Sequence, residues 1–293
     1  MEAGEHFREA LRVYSPGWDV SARCLYAADT GITAKAYLAR VAWYVGDTIG
    51  AAALFEEALT GALASEHAPT IANIHSHTAS HEMVRGDAEA TLRAANVLLN
   101  VAERNGLRFY ESAARTFLNW ARLRLGATDG LAQLRGHCET FISQGGQIVA
   151  PLFQGRLAEL EAEQMSMEVA LTSINRAIEL AREGDIRYLD ALLHRIRGDI
   201  LLRRDPAKTA QAEESYLTAI AIAREQGARS FGLQAALKLA KLYQSTSRPV
   251  AAHDALAPAL EGFSPTPEMP DIEEAQALLA ATDEVKSAAS QRG

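Results

Sequence analysis

The sequence predicts an all-α solenoid of about six helix pairs, preceded by a half-repeat and closed by a C-terminal capping helix. Three observations carry that prediction. A triplet of a small residue, an aromatic or aliphatic residue four later and usually a small one three beyond recurs seven times. The copies are Ala3/Phe7/Ala10, Ala51/Phe55/Ala58, Ala90/Ala94/Val97, Gly130/Leu134/His137, Ala170/Ile174/Ala177, Ala212/Tyr216/Ala219 and Ala252/Leu256/Ala259. From the second copy onward the first members are 39, 40, 40, 42 and 40 residues apart, a near-constant step with helical spacing inside each unit. That is the mark of stacked helical repeats, which bury a continuous core between neighbours. The third observation is a stop-and-start signal inside each unit: Gly46-Asp47, Gly86-Asp87, Gly126 to Asp129, Met165-Ser166, Asp205-Pro206 and Ser247-Arg248-Pro249. Glycine ends helices, Asp and Ser cap the next one, and proline suits a first turn.

The first helices of the pairs are expected at Thr30 to Val45, Pro69 to Arg85, Leu107 to Leu125, Pro151 to Gln164, Tyr188 to Arg203 and Ser230 to Gln244, each followed by its partner. Ala39, Ala158, Gly198 and Ala240 should mark where paired helices approach closely and face the alanines of second helices. Gly198 is the clearest case, because glycine in a helix interior costs about 1 kcal/mol relative to alanine. Arg197-Gly198-Asp199 is therefore helix interior rather than an adhesion loop, and Arg85-Gly86-Asp87 is a turn.

The domain plan is an array over 1–263, comprising a leading half-repeat at 1–14, a junction at 15–29 and repeats over 30–263. Ala3/Phe7/Ala10 sits on a second-type helix with no first helix before it, which is expected of a fragment of a longer polypeptide. Residues 264–286 form a linker with Pro265, Pro267 and Pro270 and a capping helix from Asp271 to about Glu284, whose apolar stripe is Ile272, Ala275, Leu278 and Leu279. The small polar tail 287–293 is expected to be disordered.

Composition narrows the function classes. The net charge of −8 and a pI near 5.6 oppose non-specific attraction to nucleic acid or to an anionic membrane, though a local basic groove is compatible with both. Cys24 and Cys138 stand in no metal or redox spacing and read as small packing residues. No apolar run approaches the ~20 residues of a membrane helix, and Met1 is followed by Glu2 rather than a basic leader, so the expected location is the cytoplasm.

Catalytic signatures are missing. There is no GxxxxGK[ST] loop, Gly145-Gly146 lacks a following Lys-Ser or Lys-Thr, and there is neither a GxSxG elbow nor a pair of metal-binding aspartates on a strand pattern. No enzyme activity and no cofactor are expected. Glu56-Glu57, Glu159-Glu161-Glu163 and Glu213-Glu214 read as solvated helix faces. His77 and His81 have the four-residue spacing of helical zinc sites. Two ligands are too few for a closed site, since Glu82 and His75 fall on other faces, so the pair reads as histidines in a helix seam or groove.

The small-x3-aromatic-x2-small ladder resembles the tetratricopeptide repeat in its long, roughly 40-residue form, which implies a right-handed superhelix. The stretch from Leu192 to Gly262, opening LLHRIRGDILLRRD, is similar to the C-terminal repeats of bacterial proteins in which an adenylate cyclase-like or other effector domain precedes a signal-transducing AAA/STAND ATPase. FREALRVYSPGWD leading into KAYLARVAWYVGD resembles the entry to the same region. The resemblance covers nearly the whole chain and implies a sensor or scaffold segment, upstream ATPase or cyclase domains as partners, and no catalytic parts here.

It also implies that first helices line a concave groove. Carried over position by position, that groove takes Arg40, Trp43 and Tyr44 from the first pair, His75 and Glu82 from the second, and Arg115, Asn119 and Arg122 from the third. The fourth gives Glu159 and Glu163, the fifth Arg195, Asp199 and Arg203, the sixth Lys241 and Gln244. Arg40, Arg115 and Arg122 with Trp43 and Tyr44 would clamp a carboxylate or phosphate while stacking an apolar part. Against this stands the simpler reading that the arginines pair with Glu82 and neighbouring carboxylates. Two functions follow: a groove that binds a protein, peptide or small anionic effector and passes occupancy to the ATPase, or an assembly element that forms a homodimer through second-helix faces or the Glu2 to Tyr14 helix.

Overall fold

The computed structural model describes residues 2–14, 28–207 and 209–290, with Glu2 and the last eight by backbone alone. Cys24, nearly all of the expected junction and residues 291–293 lie outside the described residues. Among the described residues every regular element is a helix. The described residues form fourteen α-helices: α1 Glu2–Val13, α2 Thr30–Tyr44, α3 Thr48–Ala64, α4 Ala68–Arg85, α5 Ala88–Asn105, α6 Arg108–Arg124 and α7 Leu131–Ser143, then α8 Ala150–Gln164, α9 Met167–Glu183, α10 Asp190–Arg204, α11 Ala210–Gln226, α12 Arg229–Ser245, α13 Pro249–Leu260 and α14 Asp271–Ser290. Short 3-10 turns, Gln147–Val149 and Arg187–Leu189, lead into α8 and α10. The fold is all-α, built of sequential antiparallel helix pairs. Each first helix starts and stops within two residues of its expected bounds, and the last helix runs to Ser290 rather than ending near Glu284.

The breaks follow the predicted chemistry. At the end of α4, Gly86 takes φ +87°, and its N–H and that of Asp87 both reach the Glu82 carbonyl, at 2.9 and 3.0 Å. This left-handed cap suits glycine, which has no Cβ to clash. Asp87 then accepts from the Ala90 N–H at 2.8 Å and starts α5. Ser166 caps α9 by accepting from the Glu168 N–H at 3.2 Å.

The chain divides into two compact units, Met1–Trp43 with Ile49–Leu160, and Tyr44–Thr48 with Glu161–Gly293. In the first, Ala36, Ala58, Ala62 and Ile74 form a core under Ile32, Phe55, Leu59 and Ile71, joining α2, α3 and α4. Phe109 and Phe117 of α6, Phe141 of α7 and Phe153 of α8 make a run of ring contacts with centroids 4.8 to 5.5 Å apart. Helix α4 touches α6 as well as α5, so first helices of adjacent pairs pack on each other. On α1, Phe7 stacks on Tyr37 of α2 at 5.1 Å. In the second unit, Leu201, Tyr216, Leu233, Leu237, Leu239, Leu256 and Ile272 dominate a core that runs from α10 into α14.

Two expectations need correcting. In α5 the buried residues are Thr91, Ala94, Ala95, Leu98 and Ala102, while Val97 is exposed, so the third triplet is out of register by one residue. In α7 the buried set is Leu134, Cys138 and Phe141, with His137 only partly covered. Alanine-rich stretches permit adjacent registers, and the bulky Leu98 and Phe141 decide between them by filling the core. Gly198 does mark a close approach, but a Cβ there would meet the Tyr216 ring, 2.5 Å from Cε1, rather than an alanine.

Candidate functional site

Helix α6 buries Ala113, Ala114, Thr116, Phe117, Leu118, Trp120, Ala121 and Leu123. Of the residues left uncovered, Arg108, Glu111, Ser112, Arg115, Asn119 and Arg122 recur at three- and four-residue steps and form a polar stripe along one face, with Arg108 and Arg122 exposed and the four between them half-buried. Arg115 donates from Nη2 to Glu111 at 2.8 Å and to Glu103 of α5 at 3.0 Å. Among the described residues the side chains of Arg108, Asn119 and Arg122 have no hydrogen-bond or ion-pair partner. The stripe thus holds three guanidiniums against its own Glu111 and Glu103 of α5, in a chain of net charge −8. Arg108 was not singled out in the sequence; its seven-residue spacing from Arg115, repeated at Arg122, was the available signal.

The other first-unit residues expected in the groove lie deeper. Trp43 is 1% exposed and sets its ring edge-on to His81 at 5.6 Å; Arg40 and His75 are also buried. Glu82 accepts from Arg85 at 2.9 Å. Glu159 accepts from Arg156 Nη1 at 2.6 Å. Arg156 is 4% exposed, and its Nη2 donates to the carbonyls of Met83 and Val84 at 2.6 and 2.8 Å. These are two of the four carbonyls that the last turn of α4 leaves without helical partners. The guanidinium also lies 5.7 Å from the Trp120 ring centre. A lone arginine inside the largely apolar run Leu152 to Leu160 was the sequence signal for this contact.

In the second unit, Arg195 donates to Asp199 at 2.7 Å and the Tyr216 hydroxyl donates to the other Asp199 oxygen at 2.7 Å. Arg203 pairs with Glu163 at 3.5 Å, Lys241 pairs with Glu274 at 2.6 Å, and Gln244 is exposed. The ring of Tyr44 packs 6.0 Å from Tyr188 and 5.2 Å from Phe231. The structure therefore gathers Arg115, Asn119 and Arg122 on one open face, and holds Arg40, Trp43, His75 and Arg195 inside. A cleft of about 580 Å³ on α13, the loop after it and α14 is lined by Ala257, Pro258, Leu260, Glu261, Phe263 and Gln276, with no convergence of titratable groups.

His77 and His81 turn to rings. His77 lies edge-on to Tyr37 at 4.6 Å, and His81 packs 4.7 Å from Phe55. Among the described residues no group of three or more His, Cys, Asp or Glu is placed to hold a metal ion. Burial and the charge of Arg40 push His77 down to about 3, and burial with Arg85 and Arg40 holds His81 well below its ordinary range. Burial lowers His75 too. A histidine whose folded pKa is depressed binds its proton more readily in the unfolded chain, so stability is complete above about pH 6.5 and is lost as pH falls below it. We expect the urea midpoint to drop between pH 7.5 and 5.0, with a slope of up to about 1.4 kcal/mol per pH unit for each histidine. His77→Phe with His81→Phe should flatten that slope. A midpoint unchanged from pH 7.5 to 5.0 in the parent chain would contradict the assignment.

No family model matches the chain, and no curated protein matches it. It is similar in structure to a Signal Transduction ATPase with Numerous Domains (STAND) protein with a tetratricopeptide repeat sensor from Pyrococcus horikoshii, at 18% sequence identity and a TM-score of 0.45. The match covers 91% of this chain and 45% of that one, so the chain spans less than half the length of that protein. Among the described residues no helix is long and apolar enough to cross a membrane.

Proposed function

We propose that this chain is a non-catalytic binding module that recognises an anionic ligand, a peptide segment or small effector, on the open face of α6. One observation carries the reading: the cationic stripe of Arg108, Arg115 and Arg122 stands in a chain whose overall charge is negative, and two of its three guanidiniums and the Asn119 carboxamide have no partner among the described residues. Guanidiniums present paired donors that match carboxylate and phosphate oxygens. The resemblance of residues 192–262 to the repeats of signalling ATPases supports a sensor role, in which occupancy shifts the conformational balance of ATPase domains in the same polypeptide. Upstream ATPase or cyclase domains, and a cytoplasmic setting, belong to this proposal.

The test uses fluorescein-labelled decaglutamate as the probe, in polarisation titrations at low salt. Arg115→Ala with Arg122→Ala should weaken binding at least fivefold, and the parent's affinity should fall as salt rises because exposed charges are screened. Unchanged affinity in the double variant would sink the site. Light scattering tests the assembly reading: a dimer abolished by deleting residues 1–14 would favour it over a sensor.

A further inference from the structure

The spacing of the stripe defines its ligand more closely; this inference rests on the anion-binding reading of α6. Arg108, Arg115 and Arg122 follow one another at seven-residue steps, which on an α-helix is about 10.5 Å. Three residues of a polyproline II chain make one turn of about 9.3 Å and bring every third side chain back to the same face. We propose that the α6 face takes an extended acidic segment in the polyproline II conformation, with carboxylates at every third residue on one side, one for each arginine.

The groups between the arginines select this occupant. Ser112 and Asn119 separate the three guanidiniums, so the track is polar throughout. A helical ligand would need an apolar groove in which to bury its own stripe, and its backbone groups are already satisfied internally. An extended segment exposes unpaired N–H and C=O groups, and the Asn119 carboxamide offers an acceptor and donors to match them. The two carboxylates now on Arg115, Glu103 and Glu111, are about half and a third exposed. Such exposed pairs are weak, which leaves Arg115 open to exchange with an incoming carboxylate. A nucleic-acid strand fits less well. It carries a phosphate for every ~3.4 Å of helix axis, three times denser than the arginines, and its field meets Glu103, Glu111 and the net charge of −8.

The experiment compares three synthetic peptides of equal charge by titration at about 20 mM salt, where screening is small. The first is a seven-residue serine-glycine peptide with glutamate at its first, fourth and seventh positions. The second has the same composition with the three glutamates contiguous, and the third is an alanine-rich helical peptide with glutamates seven apart. We expect the first to bind at least threefold tighter than either of the others, and Arg108→Ala, Arg115→Ala and Arg122→Ala each to remove that advantage. Equal binding of all three, weakened alike by the arginine substitutions, would overturn the spacing while leaving anion binding intact. Tighter binding of the helical peptide would overturn the extended ligand, and no binding of any peptide would overturn both readings.

Discussion

Arg156→Ala is expected to lower the free energy of unfolding by about 3 kcal/mol or more, the range for breaking a buried, hydrogen-bonded charge. The substitution removes three bonds at once: two to the last-turn carbonyls of Met83 and Val84 and one to Glu159. It takes the side-chain donor from the Val84 carbonyl, leaves Met83 only the Gly86 N–H at 3.2 Å, removes the Arg156 cation from beside Glu159, and withdraws a positive charge from the negative end of α4. Arg156→Lys should recover only part of the loss, because an ammonium cannot reproduce the planar fork that serves two carbonyls and a carboxylate together. Glu159→Gln should cost less than either. Urea unfolding of the three variants settles the order, and an alanine variant within about 0.5 kcal/mol of the parent, the scale of ordinary surface changes, would remove Arg156 from any structural role.

Gly198→Ala sets two effects of opposite sign against each other. By helix propensity alone the change should stabilise α10 by about 1 kcal/mol. The new methyl, however, would lie 2.5 Å from Cε1 and 2.7 Å from Cδ1 of Tyr216. That ring is 1% exposed, and its hydroxyl is held by Asp199 at 2.7 Å. Neither the ring nor the backbone has room to give, so overpacking of about 1 to 3 kcal/mol or more should outweigh the propensity gain. Tyr216→Ala alone should cost about 3 to 5 kcal/mol. On that background Gly198→Ala should become neutral or stabilising, a coupling that a double-mutant cycle measures. If the two changes simply add, the contact does not constrain the pair.

The repeat step, the helix bounds and the caps were legible because each rests on local chemistry that a single window of sequence contains. Gly86, Asp87 and Ser166 act within their own turns. Legibility failed where the outcome depends on what lies across the array. The α5 register departs from the expected one because Ala90, Ala94 and Ala95 are equally acceptable to a small-residue rule, and only the burial of Leu98 in place of Val97 distinguishes them. The groove residues divide for the same reason. Arg115, Asn119 and Arg122 look like Arg40 and Trp43 in sequence, but whether a polar or aromatic side chain on a first helix meets solvent or a neighbouring helix is fixed by tertiary packing. Arg156, which no repeat pattern marks, turned out to make the longest-range polar contact described for the first unit.

That contact also changes how the first unit should come apart. In a simple helical array each repeat touches only the next, and its energetics reduce to a one-dimensional chain of nearest-neighbour terms. Arg156 on α8 ties itself to the end of α4, 72 and 73 residues earlier, and so reaches past the intervening α6–α7 pair. A second-neighbour link of this kind penalises opening of the middle pair by itself. Amide hydrogen exchange should therefore report α4 through α8 as a single cooperative block rather than as pairs that fray in sequence, with the arginine-bearing face of α6 held at its centre.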